Sequence, residues 1–158
     1  MTDNDAVSTA ATEAMTAAGL AFTATQHGRV SSLAEAAAAR GVEPAAIIKT
    51  IVVRRADDDF LFVLVPGDRS ISWPKLRALL GVSRLSMPDA ATAKDVTGYE
   101  RGTITPFGAT RAWPVVADER VTGRVSIGAG AHGVAATVDA AELIVALGAQ
   151  RADVTEPA

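Results

Sequence analysis

The sequence predicts an α/β protein of the mixed α+β kind, in which helices pack on a mixed β-sheet. Its 158 residues fit a single domain over 1–158, because no linker or internal repeat divides the chain. Two apolar, β-branched runs flank Asp57, Asp58 and Asp59, a pattern that indicates a β-hairpin. Elsewhere, helical and strand patterns interleave irregularly, which favours a mixed sheet over a regular parallel one.

Each element is placed by its composition and its end signals. Ser32 with Glu35 has the pattern of a capping box, and Gly41, Gly81 and Gly148 are expected to stop three helices. The expected helices are Ala6–Ala18, Ser32–Arg40, Ala45–Ile48, Pro74–Leu80, Pro88–Val96 and Asp139–Leu147. The expected strands are Phe22–His27, Ile51–Arg55, Phe60–Val65, Trp113–Ala117, Arg124–Ile127 and Val134–Val138, and the polar tail Gln150–Ala158 is expected to be frayed.

The composition argues against several classes of protein. The chain has no cysteine, which removes thiol nucleophiles and thiolate metal sites, and its two histidines, His27 and His132, are too few for a zinc site unless carboxylates contribute. A net charge of −3 and the lack of a long basic run argue against a broad nucleic-acid surface, so we expect no DNA partner. The N-terminus carries Asp3 and Asp5 and no basic residue, and no apolar stretch approaches about 20 residues. We therefore expect no membrane partner and a cytoplasmic location.

Lys49 is the first candidate for a functional residue. It lies inside the apolar run of residues 47–53, and the chain has only three lysines against twelve arginines. A lysine in such a run must reach water, pair with an acid or line a cavity, and a buried lysine can hold an anion or assist catalysis. Taken alone, the pattern favours an edge residue whose stem packs while its amine reaches water.

Two glycine-rich segments are the other candidates, because glycine lets a ligand approach main-chain N–H groups. One is a loop made of Gly102, Thr103, Ile104, Thr105, Pro106, Phe107 and Gly108. The other is a turn with Gly128, Gly130, His132 and Gly133. The turn has the G-x-G-x-x-G spacing, but a β-branched stretch follows it instead of a helix, so a dinucleotide site is rejected. Taken alone, the loop is better explained as a plain surface turn, and the spacing of the glycine turn is only a weak signal.

Taken in order along the chain, these segments resemble the YbaK/ProRS-associated domain family of aminoacyl-tRNA deacylases. The resemblance covers roughly Phe22 to Leu147. The matching pieces are Lys49-Thr50-Ile51, Val65-Pro66-Gly67-Asp68, the Lys75–Gly81 helix, Thr97-Gly98-Tyr99, the Gly102–Gly108 loop, and the Gly128–Gly133 turn followed by Ala140-Ala141-Glu142-Leu143.

The resemblance implies a partly closed mixed β-sheet surrounded by helices, and hydrolysis of wrongly charged tRNA, commonly tRNA(Pro) carrying alanine or cysteine. It implies that Lys49 is the catalytic residue, and that Thr50, the Gly102–Gly108 loop and the Gly128–Gly133 turn bind substrate. It also implies no metal or cofactor, and as partners the acceptor end of aminoacyl-tRNA and prolyl-tRNA synthetase.

Departures from the family pattern leave the amino acid open. Thr50 follows the lysine where alanine-specific members tend to have asparagine, and His132 replaces an arginine of YbaK. Two alternatives to a deacylase remain. One is a non-catalytic module that binds tRNA ends or a synthetase, and the other is a hydrolase for a different small ester or amide.

Overall fold

The computed structural model describes residues 8–158, so Ala6 and Val7 of the first predicted helix lie outside it. Its helices are α1 (Ala10–Ala17), α2 (Leu33–Arg40), α3 (Trp73–Leu80), α4 (Ala90–Thr97) and α5 (Ala140–Leu147), with a 3-10 turn at Pro44–Ala46. Its strands are β1 (Phe22–Gln26), β2 (Ile47–Ala56), β3 (Asp59–Pro66), β4 (Arg69–Ile71), β5 (Val115–Asp118), β6 (Arg124–Gly128), β7 (Val134–Asp139), β8 (Gln150–Ala152) and β9 (Thr155–Pro157).

The main sheet has the strand order β1-β7-β6-β2-β3-β5-β8, and β4 pairs with β9 in a separate two-stranded sheet. β2 and β3 form the predicted antiparallel hairpin around Asp57 and Asp58. β2 also pairs in parallel with β6, and β3 in parallel with β5. Parallel and antiparallel neighbours thus share one sheet, which confirms the predicted mixed α/β class.

The long strand β2 separates two apolar clusters, because its side chains alternate between the two faces of the sheet. Ile48 and Val52 belong to a cluster that includes residues of α1, α4 and α5. Val53 belongs to a second cluster, which includes residues of α3 and the C-terminal segment. The side chain of Thr50 therefore leaves the strand on the same face as Ile48 and Val52. The side chain of Lys49 leaves it on the opposite face, together with Val53.

The predicted helix ends are largely correct. Gly41, Gly81 and Gly148 each follow a helix in the left-handed conformation. The predicted capping box at Ser32 is only half formed. Ser32 Oγ accepts from the N–H of Glu35 at 3.1 Å, but the Glu35 carboxylate turns to the N–H and hydroxyl of Ser31.

Two predictions were wrong because strand pairing overrode local preference. Ile47 and Ile48, expected in a helix, are the first residues of β2, where they pair with β6 and bury their side chains. The tail expected to be frayed is ordered, since residues 150–152 pair with β5 and residues 155–157 pair with β4. Val154, between these two strands, is completely buried. Among residues 8–158 no helix is both long and apolar enough to span a membrane.

Candidate functional site

β2 continues beyond the end of its neighbour β6, so the side of β2 that faced β6 becomes an open edge. A cavity lies beside this edge. The two strands pair at Ile47 and Ile48, and β6 ends at Gly128. β2 runs on to Ala56 while still paired with β3 on its other side. The cavity beside this stretch has a volume of about 520 Å³. It therefore arises from the unequal lengths of two strands.

Five predicted site residues line this cavity: Lys49, Thr50, Gly102, Ile104 and Gly128. They come from β2, from the loop before β5 and from the end of β6, so the sheet topology brings together segments that are far apart in sequence. The remaining lining residues are those at 47, 48, 51, 52, 87–90 and 93, together with Arg40 and Arg101.

The edge of β2 presents main-chain groups to the cavity. Arg54 exchanges both main-chain hydrogen bonds with Ser86, at 2.7 and 3.1 Å, so its N–H and C=O point away from β3. Because these directions alternate along a strand, the N–H and C=O groups of Thr50 and Val52 also point away from β3. Both residues line the cavity, where these groups can hydrogen-bond to a ligand carbonyl or ammonium.

Lys49 is a partly desolvated cation held by the main chain. Its Nζ atom donates a 2.5 Å hydrogen bond to the carbonyl oxygen of Arg69. Burial lowers the pKa of the Lys49 ammonium, and the nearby carboxylate of Asp68 opposes this by raising it. Among residues 8–158, no acidic side chain forms an ion pair with Lys49. Since an ammonium has three donors, two remain for an anionic ligand.

Thr50 contributes a buried hydroxyl whose hydrogen-bonding capacity is unused. Within the described part of the chain, its Oγ1 atom has no hydrogen-bond partner although it is shielded from solvent. A buried polar group without a partner costs about 1–3 kcal/mol of stability. Thr50 lines the cavity, so a ligand bound there can supply the missing partner.

Replacement of Thr50 by valine is expected to raise the free energy of unfolding by about 1 kcal/mol, and Tm by about 2–4 °C, because it removes this unpaired hydroxyl at nearly constant volume. Thermal and urea denaturation measure the effect. Thr97→Val is the matched control, since the buried Thr97 hydroxyl donates to the carbonyl of Ala93 at 2.7 Å and its loss should lower stability. Destabilisation of both variants would contradict the unpaired state of Thr50.

The Gly102–Gly108 loop is only partly in the cavity. Gly102 has a φ of +89°, a conformation that favours glycine, and it lines the cavity together with Ile104. Thr103 and Thr105 are buried, and their hydroxyls hydrogen-bond to main-chain groups close by in the sequence. Their predicted contact with substrate stays a prediction.

The end of the same loop packs against the core. The carbonyl of Phe107 accepts a 2.6 Å hydrogen bond from the hydroxyl of Tyr99, and Phe107 itself is buried. Gly108 has a φ of +71°, and a Cβ atom there would come within 2.6 Å of the carbonyl oxygen of Ala10. Together with Pro106, these residues lie outside the cavity lining, and Gly108 packs against the first residue of α1. Their predicted contact with substrate also stays a prediction.

The glycine-rich turn is also only partly in the cavity. Gly128 lines the cavity. Gly130 packs closely on the ring of Tyr99, which a Cβ atom would approach within 2.9 Å, and Gly133 packs closely on the carbonyl of His27. His132 is exposed, and its Nε2 atom lies 3.4 Å from a carboxylate oxygen of Glu100. Ligand binding by the last three glycine-turn positions, 130, 132 and 133, stays a prediction.

Two arginines that the sequence did not single out also line the cavity, Arg40 at the end of α2 and Arg101 beside Gly102. Among residues 8–158 neither forms an ion pair. Among the residues that line the cavity, the acidic one is Asp89, and its carboxylate caps the N-terminus of α4. Together with Lys49, the cavity of this acidic protein is therefore cationic. Only contact information could have identified Arg40, because a basic residue at a helix end is common.

No metal centre is formed by the described residues. No group of three or more histidine, aspartate or glutamate side chains within residues 8–158 is placed to hold a metal ion. The cavity instead offers hydrogen-bond donors and cations, a combination that suits an anionic ligand carrying a carbonyl group.

The chain is a small α/β domain whose mixed sheet opens at one edge on a cavity lined by basic side chains. A model of the aminoacyl-tRNA editing domain matches residues 27–146 of the chain. Because this match covers most of the sequence, the chain belongs to the aminoacyl-tRNA editing domain family, which confirms the YbaK-like membership expected from its motifs.

Individual relatives agree with this membership. The chain is 35% identical over 89 residues to a proline–tRNA ligase of Lactobacillus gasseri, a match that covers 56% of this chain and only 16% of the ligase. A crystal structure of a hypothetical protein is 27% identical, with a TM-score of 0.84, over 94% of this chain and all of the other. A structure described as a candidate trans-editing enzyme for prolyl-tRNA synthetase shares the fold, with a TM-score of 0.86 at 24% identity over 95% of this chain and 99% of the other.

Proposed function

We propose that this chain is a trans-editing deacylase that hydrolyses the ester of mischarged tRNA, with alanyl- or cysteinyl-tRNA(Pro) as its substrates. The observation that carries the proposal is the meeting of Lys49, Gly102 and Gly128 around one cavity in a member of the aminoacyl-tRNA editing family. Prolyl-tRNA synthetase is the proposed partner, because a segment of such a ligase is similar to this chain. The cytoplasm, where aminoacyl-tRNA is used, is the proposed location.

The proposed reaction needs little help from the protein, because an aminoacyl ester is already activated. A water molecule attacks the ester carbonyl, the bond from that carbon to the ribose oxygen breaks, and the proton passes to the departing ribose oxygen. Negative charge develops on the carbonyl oxygen in the transition state. Main-chain N–H groups of Thr50 or Val52 can stabilise this charge, as oxyanion-hole donors do.

Lys49 has an electrostatic role in this proposal. Its two remaining N–H donors bind a phosphate or ribose oxygen of the terminal nucleotide, a charge-assisted contact that positions the ester at the cavity. This role needs the ammonium form, which is retained up to the lowered pKa of the Lys49 side chain. A protein nucleophile is not required, in agreement with a chain that has no cysteine.

The proposal is tested by deacylation of a panel of charged tRNAs, led by alanyl- and cysteinyl-tRNA(Pro). The wild-type protein is expected to hydrolyse at least one of them faster than buffer alone, and prolyl-tRNA(Pro) much more slowly. The measurement is the loss of radiolabelled aminoacyl ester over time at fixed pH. If folded wild-type protein hydrolyses no member of the panel, the deacylase proposal fails.

Gly128→Ala is expected to increase the discrimination between small and large aminoacyl groups. A Cβ atom at this position would lie 3.6 Å from the carbonyl oxygen of Ile104, an ordinary contact, so the methyl group narrows the cavity without strain. One methyl or methylene typically changes discrimination by about 10-fold or somewhat more. We expect the ratio of hydrolysis rates for alanyl over larger aminoacyl groups to rise by about that factor, in parallel assays of both substrates. An unchanged ratio would show that the amino acid does not bind against Gly128.

One observation supports a second candidate, a non-catalytic module that binds a tRNA end. The Lys49 ammonium is hydrogen-bonded to the Arg69 carbonyl at 2.5 Å, which holds one of its donors against the protein. The two functions are separated by one pair of measurements. Binding of charged tRNA without turnover on any panel member supports the module, whereas turnover lost in a Lys49 variant supports the deacylase.

A further inference from the structure

Arg40 places a guanidinium group at the cavity wall with few hydrogen-bond partners. Its Nε atom lies 3.4 Å from Nε2 of His27, and one terminal nitrogen lies 3.5 Å from the hydroxyl of Ser126. Both contacts are long, and neither is with a carboxylate. A guanidinium has five N–H donors, so most of its hydrogen-bonding capacity is unused in this structure.

The hydrogen bonds of the His27 ring are consistent with a contact between its Nε2 atom and Arg40. Its Nδ1 atom lies 2.8 Å from the carbonyl oxygen of Gly28, an acceptor, so the proton of the ring belongs on Nδ1. Nε2 is then free to accept the hydrogen bond from Arg40. His27 thus orients the guanidinium without neutralising its charge.

The charge of Arg40 is also not balanced within the described part of the chain, where no carboxylate lies within ion-pair distance. Burial lowers the pKa of the Arg40 guanidinium, which is the mark of a charge that has lost water without gaining an anion. Such a group favours an incoming anion, because the attraction is little screened by solvent.

A purely structural role explains less of this arrangement. A cation at the C-terminal end of α2 stabilises the helix dipole, and a lysine directed into solvent would do so equally well. That role does not require a guanidinium that lines a cavity and lies beside a histidine ring nitrogen. The two explanations therefore differ in what Arg40→Lys and Arg40→Gln should do.

We propose that Arg40 binds a phosphodiester of the single-stranded 3′ end of tRNA and so fixes how far that end enters the cavity. This rests on the deacylase function proposed above. An aminoacyl ester carries no free carboxylate, and its α-ammonium group is repelled by a cation. The anions that accompany it are the phosphates of the last nucleotides, and a guanidinium fork can bind their oxygens bidentately. Arg40 is a positioning residue in this proposal.

Binding of an uncharged acceptor-stem RNA that ends in CCA tests the proposal without any need for turnover. Fluorescence anisotropy at several salt concentrations gives both the affinity and its dependence on salt. Arg40→Gln is expected to weaken binding by about 10-fold and to reduce the slope of log K against log salt by about 0.7, the value for one phosphate contact with a single strand. Arg40→Lys should keep most of the slope but lose part of the affinity.

Arg124→Gln is the matched control. Arg124 also contacts the end of α2, where it donates to the carbonyl of Gly41 at 3.1 Å, but it is exposed and lies outside the cavity lining. This variant should bind as wild type does. Equal affinity and an equal salt slope for wild type and Arg40→Gln, with Tm showing both to be folded, would overturn the proposal.

Deacylation by the same proteins separates this proposal from the function on which it rests. Turnover by wild type together with binding that does not depend on Arg40 would overturn the role of Arg40 and leave the deacylase intact. Binding that depends on Arg40, with no turnover by wild type, would support the role of Arg40 and reject the deacylase. Under the full proposal, Arg40→Gln raises KM by a factor about 10 times larger than the factor by which it lowers kcat, because the contact positions substrate before the chemical step.

Discussion

Under the proposed function, Lys49→Met is expected to lower the deacylation rate by about 10²-fold or more, because it removes the ammonium that is proposed to bind the terminal nucleotide and position the ester. Methionine keeps the length and apolar character of the stem, so the packing beside the Arg69 carbonyl should persist. Rates are measured under single-turnover conditions on the substrate that wild type hydrolyses fastest. Lys75→Met is the matched control, since Lys75 is exposed and pairs with Asp153 on the surface.

Stability gives an independent check on Lys49. Because the folded-state pKa of this lysine is lowered, the unfolded chain binds its proton more tightly than the folded protein does. The stability of wild type relative to Lys49→Met should therefore rise with pH, from the lowered pKa up to the ordinary range of lysine near 10.4. The enzymatic rate, corrected for hydrolysis in buffer, should fall over the same window. A Lys49→Met variant with wild-type turnover would remove Lys49 from the mechanism.

Asp118→Ala is expected to destabilise the protein by about 3 kcal/mol, and to lower Tm by about 6–12 °C, because a buried hydrogen-bond acceptor is lost. Asp118 is fully buried at the end of β5. Its carboxylate accepts from the N–H of Val154 at 3.1 Å and from the Thr155 hydroxyl at 3.0 Å, and it lies 3.2 Å from a nitrogen of Arg120. Without it, the buried N–H of Val154 has no acceptor.

Chemical denaturation measures this effect, and Asp153→Ala is its control. Asp153 pairs with the same Arg120, at 2.9 Å, but it is exposed, so its removal should change stability little. Faster amide exchange in residues 150–157 of Asp118→Ala would locate the loss in the C-terminal strands. If the two variants are equally stable, the C-terminal strands do not depend on Asp118.

The elements that could be predicted from the sequence are those set by local chemistry. The hairpin around Asp57 and Asp58 combines apolar strands with a polar turn, and both signals are local. The glycines that end α2, α3 and α5 are also a local signal, because few other residues adopt the left-handed conformation. The fold class follows from such elements once their order is known.

The C-terminal strands could not be predicted, because their partners are distant in sequence. Residues 150–158 are polar and short of strand-forming signals, yet Asp118 and β4 hold them in place. The cavity was predicted only in part for the same reason. Lys49 and the two glycine segments could be singled out from the sequence and were given a role by their family pattern, whereas Arg40 has no pattern and becomes a candidate only when α2 is placed beside β2.

The unequal lengths of β2 and β6 have a consequence for how such a domain can change. Gly128 lines the cavity and contributes no side chain to either apolar cluster, so the cavity can be reshaped at the end of β6 without removing a side chain from the core. Residues near Gly128 can vary in bulk while the strand pairs at Ile47 and Ile48 stay as they are. The size of the cavity can therefore change at this position while the side chains of the apolar clusters stay as they are.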